Sequence, residues 1–259
     1  MAVTNFIQTI WSKKIQDDLE LKCKLVDNCL RDYEGDCKFA QSVKILGVGE
    51  PTIGDYTGAD ITIEEMSDRG QVLTIDQAKY FAFYVDDVDK AQSVPGLPEK
   101  YQEKAVHGLA VARDTYVATL IQGAANKTTV TMTEEGFKKG IDDAIVELRE
   151  RNFDEEGVIE ITPAGYALFK NHLITLSTNN PEYIKKGIVG MYDNMEVIMS
   201  NNLKTPGCVR GKKAIAFAGQ INEVEALRAE KKFCDIVRGL DTFGAKVIDE
   251  NRIQVLVAG

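Results

Sequence analysis

From Gln71 to Asp89 the chain reads QVLTIDQAKYFAFYVDDVD, an alternation of apolar and polar residues that runs far longer than an ordinary strand. Val72, Ile75, Tyr80, Phe81, Phe83, Tyr84 and Val85 concentrate the strand formers, and Leu73 with Ile75, then Phe81, Phe83 and Val85, fall on period-two positions. Two strand pieces with a bend between them satisfy this pattern. After Ala91 the segment SVPGLP stops the ribbon, because Pro95 and Pro98 lack backbone donors and Gly96 frees the backbone. From about Pro98 to Gly123 the spacing predicts a helix, with Ala105, Leu109, Ala112, Tyr116 and Leu120 recurring three or four apart and Pro98 suited to the first turn. That is roughly 25 residues, or about 37 Å, where a typical globular helix has about 11 to 12 residues. A helix of that length acts as a spine rather than as one layer of a compact core.

On either side of the ribbon and helix the pattern changes character. Residues 4 to 30 read as an amphipathic arm, with Phe6, Ile7, Ile10, Trp11, Ile15, Leu19, Leu25 and Val26 at roughly helical spacing. Residues 41 to 75 have strand-like ends, Val43–Val48 and Ile61–Ile63, around a centre dense in Gly47, Gly49, Pro51, Gly54 and Gly58. This is a long two-stranded excursion, and an isolated two-stranded ribbon is marginal in water, so it needs a partner surface. From 126 to 222 short elements alternate. Thr133 caps a helix to about Asn152 with Phe137, Ile141, Ala144, Ile145 and Leu148 on one face. VIEITP reads as a strand, Pro163–Asn171 as a helix, GIVGMYDNMEVIMSNNL as a strand pair turning at Asp193-Asn194, TPGCVRG as a loop, and KKAIAFAG as a further strand. In the last segment, Ala226–Arg228 and Ile236–Arg238 are strand or helix fragments, and DTFGAKVIDENRIQVLV gives two strands joined at 249–251, expected to pair with the ribbon near Tyr80–Val88.

Composition removes several function classes. The formal charge is −9, which argues against a surface built to grip phosphates and so against a sequence-specific DNA binder. It remains compatible with a container that encloses DNA and adheres to it only weakly. The longest apolar runs are too short to cross a bilayer and MAVTNFIQTIWSKK lacks the apolar core of a signal peptide, so no membrane partner is expected. The five cysteines, Cys23, Cys29, Cys37, Cys208 and Cys234, are odd in number and form no CxxC pair. Free thiols are expected, with neither a disulfide framework nor a metal site.

ITIEEMSDRGQVLTIDQAKYFAFYVDDVDKAQ, PEKYQEKAVHGLAVARDTYVATL and FCDIVRGLDTFGAKVIDENRIQVLV, taken in order, resemble major capsid proteins of tailed bacteriophages, those of the Hong Kong 97 fold. The likeness runs along nearly the whole chain. It implies an α+β capsid fold with an N-terminal arm at 1–40, an extended β-hairpin loop at 41–76, a peripheral domain at 77–125 and 223–259 around a spine helix at about 98–123, and an axial domain at 126–222. It implies a subunit that meets copies of itself in hexamers and pentamers. The arm, through Phe6, Ile10 and Trp11, would cross a neighbour. Gly49, Pro51, Ile53 and Tyr56 of the extended loop would lie over an adjacent subunit, and Pro206 and Cys208 would stand in an axial loop.

Further expectations follow from the same likeness. The shell would enclose double-stranded DNA without sequence specificity, with a portal and a separate scaffolding protein as partners, in a virion assembled in the host cytoplasm. A cellular nanocompartment of the encapsulin kind is the alternative with the same architecture. Some family members crosslink a loop lysine to a neighbour's asparagine. Here Lys44 at the loop's base is the only lysine of 43–75, so no crosslink is expected, since the reacting groups must meet. Other members carry a long cleaved scaffolding segment before the arm, whereas this chain enters its arm directly after Met1, so a separate scaffolding protein, or none, is expected.

Enzyme readings find little support in the residues. GVGEPTIG suggests a phosphate-binding turn, and a small-molecule enzyme using Gly47–Gly58 would rest on it, but neither the GxGxxG spacing nor a following helix is present. Asp86, Asp87 and Asp89 do not make an EF-hand, since the sixth-position glycine and the closing glutamate are missing. His107 and His172 are the only histidines, neither in a nucleophile motif, and Cys208 after Pro206-Gly207 lacks the setting of a catalytic cysteine. No catalytic residue, cofactor or metal is expected.

Overall fold

The computed structural model describes residues 23–33, 42–45, 70–86, 97–176, 190–228 and 234–259. The ribbon divides as its pattern requires, into β2 (Gln71–Thr74) and β3 (Gln77–Asp86), with the break at Ile75-Asp76. Before them, β1 (Ser42–Ile45) runs antiparallel to β2, pairing Val43 with Leu73 and Ile45 with Gln71. The base of the 41–76 excursion is therefore a two-stranded ladder. Its partner strand is 71–74; the strand-like end expected at 61–63 lies outside the described residues. Val43, Ile45 and Leu73 bury their side chains against Ala216 and Ala218, which supplies the surface a two-stranded ribbon needs.

The predicted spine is α1 (Leu97–Gly123). Its most buried stripe lies about one residue further along than the pattern suggested: Val106, Leu109, Ala110, Val117, Ala118 and Ile121 are buried, whereas Ala105, Ala112, Tyr116 and Leu120 are half-buried. The offset has a specific cause. Arg113 and Asp114, which a hydrophobicity pattern sends to solvent, sit in the middle of the buried stripe.

Past β4 (Lys127–Val130), α2 (Glu134–Glu150) starts as expected, with Thr133 Oγ1 accepting from Gly136 N at 3.1 Å and Glu134 and Glu135 at its positive end. β5 (Gly157–Ile161) leads into α3 (Pro163–Leu176), and β6 (Met191–Tyr192) turns into β7 (Met195–Met199) through Asp193 and Asn194, both at positive φ. Asn and Asp tolerate that left-handed pair, which is why DN closes this hairpin. β8 (Gly207–Gly211) corrects the reading of TPGCVRG as a loop. All five of its residues are buried and it pairs with neighbours on both sides, a role that two terminal glycines and an arginine conceal in the sequence. β9 (Ile215–Arg228), β10 (Cys234–Val247) and β11 (Ile253–Ala258) complete the chain, a short 3₁₀ turn at Glu250–Arg252 joining the last two.

Two sheets organise these elements. One has the order β3-β10-β9, all antiparallel; the other is mixed, in the order β4-β11-β8-β5-β7-β6. Of the two terminal strands expected beside Tyr80–Val88, β10 pairs with β3 while β11 crosses into the six-stranded sheet, between β4 and β8. In that place both faces of β11 are buried: Leu256 enters the core beneath α2, while Ile253 and Val255 enter the core beneath α1. The six-stranded sheet is thus covered on both faces, by α2 and α3 on one side and by α1 with residues 23–30 on the other.

Gly244 of β10 pins the excursion's base to the long sheet. A Cβ at this position would overlap the Thr74 carbonyl oxygen and come within 2.9 Å of Ile75 Cα, and both obstacles are backbone. Lys246 Nζ donates to Val72 O at 3.0 Å, and Gln71 Nε2 to Ile248 O at 3.0 Å, tying the same two segments together. Gly244→Ala is expected to destabilise the subunit by about 1–3 kcal/mol, the usual cost of overpacking. A urea midpoint equal to that of the unsubstituted chain would show that this close approach does not exist.

Candidate assembly surface and arm anchor

Residues 23–30 are where the N-terminal segment joins the body, and they form no regular helix. Only one 3₁₀ turn, Val26–Asn28, interrupts an irregular course, in place of the helical spacing read from the sequence. The reason lies in the hydrogen bonds. Asp114 Oδ2 accepts from Lys24 N at 3.0 Å, and Oδ1 accepts from Leu25 N at 3.1 Å and Val26 N at 3.3 Å. From the opposite side Arg210 donates to Asn28 O at 2.6 Å and Leu25 O at 2.9 Å. Amides and carbonyls that would close helical turns are taken by two buried ions. Leu30 then joins β9, its N–H donating to Ile215 O and its carbonyl accepting from Phe217 N, each at 2.9 Å.

Arg210 is itself held by Glu160, with Nε to Oε2 at 3.0 Å and Nη2 to Oε1 at 2.6 Å, and both side chains are fully buried. β5 and β8 place them diagonally on the sheet face turned toward α1. Loss of water works against the charge on Arg210, but the Glu160 carboxylate more than offsets it and holds the guanidinium protonated. Burial likewise pushes the Glu160 and Asp114 carboxyls above the ordinary range, Arg210 pulling the first down and the Lys24, Val26 and Leu25 amides the second. Two-point Arg–carboxylate contact is the geometry that makes a buried pair tolerable.

One residue along α1, Arg113 points the other way. Its Nε donates to Asp241 Oδ2 at 2.9 Å, and its guanidinium lies over the Phe217 and Phe243 rings, 5.6 and 5.9 Å from their centroids. Asp241 sits at the register shift between β9 and β10, where Leu240 faces Glu223 and Asp241 faces Ile221. Consecutive residues of the spine thus hold the long sheet and the N-terminal segment. None of these five charged residues was singled out from the sequence, and the one signal that could have found them is a charge at a core position of an otherwise apolar stripe.

The outer face of the three-stranded sheet exposes several large apolar side chains. Tyr80 and Tyr84 are 80% and 73% exposed, and Leu227 and Leu240 stand on the same face. Tyr80 lies directly opposite Leu240, Tyr84 opposite Ile236, and Ile236 opposite Leu227, so the side chains form a ridge of two apolar rows with Ala82 and the exposed Arg238 between them. Phe81 and Phe83, which alternate with the tyrosines, turn inward onto the core.

Of the residues expected at contacts between subunits, Phe6, Ile10, Trp11, Gly49, Pro51, Ile53 and Tyr56 lie outside the described residues, as do the centre of the Gly47–Gly58 turn and Asp87 and Asp89. Pro206 is half-buried, its carbonyl accepting from the Thr162 N–H and hydroxyl, each at 3.1 Å. Cys208 departs from expectation: it is fully buried in β8, within the core beneath α1, and has no surface to offer a second copy. Burial also pushes its thiol well above the ordinary range. A protonated, enclosed thiol is unsuited to nucleophilic attack. His107 is exposed on α1. Among the described residues no group of side chains could hold a metal ion, and no helix is long and apolar enough to cross a membrane.

The sequence matches no family model and no curated relative. Its fold is that of phage capsid proteins. A structure from Mycobacterium phage Che8 superposes with a TM-score of 0.78 at 26% identity, covering 90% of each chain. The capsid structure of the cyanophage P-SCSP1u is similar at a TM-score of 0.70 and 17% identity, over 85% of this chain and 84% of that one. A virus-like particle from Pyrococcus furiosus gives 0.62 at 12% identity, over 96% and 99%.

Proposed function

We infer that this chain is the major capsid protein of a tailed phage, a structural subunit that assembles with copies of itself into the shell of the virion. The observation that carries this is the mixed α/β fold itself, matched along 90% of both chains by a phage protein of 26% identity. Within that reading, residues 1–40 are the arm, 41–76 the extended loop, 77–125 with the strands to Val247 the peripheral domain around α1, and 126–222 the axial domain. β11 belongs with the axial part, because it completes the six-stranded sheet. The six-stranded sheet has a core of its own beneath α2 and α3, while α1 packs in one core against both sheets, and this arrangement supports the division.

The mechanism is assembly through many modest contacts repeated at every interface. Phe6, Ile10 and Trp11 of the arm and Gly49, Pro51, Ile53 and Tyr56 of the loop reach neighbouring subunits. A second copy also covers the ridge of Tyr80, Tyr84, Leu227 and Leu240, since large exposed apolar side chains grouped on one face and bordered by a charge mark an interaction site. Pro206 remains an axial contact and Cys208 does not. No covalent chemistry is involved. A portal, a separate scaffolding protein and a DNA genome held without sequence specificity complete the particle, which forms in the host cytoplasm. The net charge of −9 supports weak adhesion to the genome.

Expression of the chain alone, with light scattering and negative-stain microscopy on the same fractions, tests this reading. Megadalton closed shells, tubes, or isolated hexamers and pentamers are the expected result; a stable monomer that assembles neither alone nor with a scaffolding protein would overturn it. The Pyrococcus furiosus particle shares the fold, so contents separate the two container readings. Nuclease-protected DNA marks a phage shell and a co-purifying enzyme a nanocompartment. In the same assay, Tyr80→Ser with Tyr84→Ser should leave the subunit's urea midpoint within about 0.5 kcal/mol, as exposed sites usually do. Assembly should fall at least about tenfold, the effect of weakening each interface by ~1.4 kcal/mol. Unimpaired shells from this variant would remove the ridge from the interface.

A further inference from the structure

The described residues place the root of the N-terminal segment in a polar grip rather than in apolar packing alone. Cys23, Leu25, Val26 and Cys29 are buried, which holds the segment down. Apolar burial is non-directional and lets a segment slide or rotate. Asp114 on α1 takes three consecutive amides and Arg210 on β8 takes two carbonyls, so the main chain from Lys24 to Asn28 is fixed in position and direction from opposite sides. Replacing buried ion pairs by apolar residues of similar volume is often neutral or stabilising. What this network adds over packing is a single geometry.

We propose that Asp114 and Arg210 are positioning residues of assembly, which fix the position and direction of the main chain at Lys24–Asn28, the root of the segment that the capsid reading assigns to contact with a neighbouring subunit. The proposal rests on the capsid reading. It adds that arm placement is decided by a grip inside the subunit and not only by the surface the arm meets. Because Asp114 and Arg210 stand on α1 and on the six-stranded sheet, the root also ties these two parts of the subunit to one arm direction.

Asp114→Asn is the direct test. Each carboxylate oxygen accepts from two donors, Oδ1 from Leu25 and Val26, Oδ2 from Lys24 N and Asn202 Nδ2. Whichever way the amide turns, its NH₂ faces two donors. In isolated subunits, trypsin should cleave after Lys22 and Lys24 at least about tenfold faster than in the unsubstituted chain, because local opening there becomes more frequent. Asp114→Glu keeps the charge and displaces it by one methylene. It should melt near the unsubstituted chain yet give shells of mixed diameter or open sheets, an effect that a purely stabilising residue would not produce.

Uniform shells of unsubstituted diameter from both variants, with unchanged cleavage, would overturn the proposal. So would hydrogen exchange showing that the Lys24, Leu25 and Val26 amides open only with the whole fold, a measurement that stands even if Asp114→Asn does not fold. Failure of the unsubstituted chain to form shells counts against the capsid reading instead, and the cleavage experiment on subunits is then read by itself.

Discussion

Arg210→Met is expected to cost the unassembled subunit about 3–5 kcal/mol, measured as a shift in urea midpoint at constant slope. The loss has three parts. Glu160 stays behind at 0% exposure without its partner, the Asn28 carbonyl loses its Arg210 donor, and the Leu25 carbonyl is left with the Asn28 N–H at 3.3 Å and the Cys29 thiol at 3.4 Å. A buried charge left alone is far more damaging than the pair is beneficial, because desolvation has already been incurred and no attraction offsets it. The double change Arg210→Met with Glu160→Leu should therefore recover most of the deficit. The remainder reports mainly the Asn28 carbonyl left without its donor, on the order of 1 kcal/mol. A single-variant shift below about 1 kcal/mol would mean that water reaches the pair and that the hub is not the sealed site described.

Deleting Gly49–Ala59 should have the opposite profile, sparing the fold and abolishing closed shells. The ladder of Ser42–Ile45 with Gln71–Thr74 lies outside the deletion, as do the Val43, Ile45 and Leu73 contacts and the hydrogen bonds from Lys246 and Gln71. Shortening a loop changes its closure entropy by well under about 1 kcal/mol. Subunit melting should stay close to that of the intact chain. Shell formation depends on every copy offering its loop to a neighbour, so even a modest weakening of each interface is multiplied around the particle. Closed particles of normal diameter from the deleted chain would refute the loop's role.

Both expectations start from features that the sequence shows to different degrees. The ribbon broke at Ile75-Asp76 and the spine began at Leu97, close to where alternation and proline placement indicated. Thr133 capped α2, and Asp193-Asn194 closed its hairpin, because those residues have local chemistry that acts whatever surrounds them. The outward pair Tyr80 and Tyr84 follows from period-two alternation once Phe81 and Phe83 face the core.

What escaped the sequence depends on partners distant along the chain. Asp114 acts on Lys24–Val26 some 90 residues away, and Arg210 on Leu25 and Asn28 more than 180 away. A charge in an apolar stripe has no local signature of the ion or amide that will meet it. The strand at Gly207–Gly211 was hidden in the same way, since its two glycines disfavour a strand and its arginine breaks the apolar run, and it becomes a central strand only because β5 and β11 flank it. β11 likewise joined the six-stranded sheet because that sheet offered a paired edge on each side, a choice that its own alternation leaves open. Periodicity, caps and turns, which depend on neighbours a few residues apart, were determined by the sequence alone. The burial of Arg113, Asp114, Glu160, Arg210 and Asp241, and with it the anchoring of the N-terminal segment, was decided only by tertiary structure, because desolvation and pairing arise only when remote segments close around a charge.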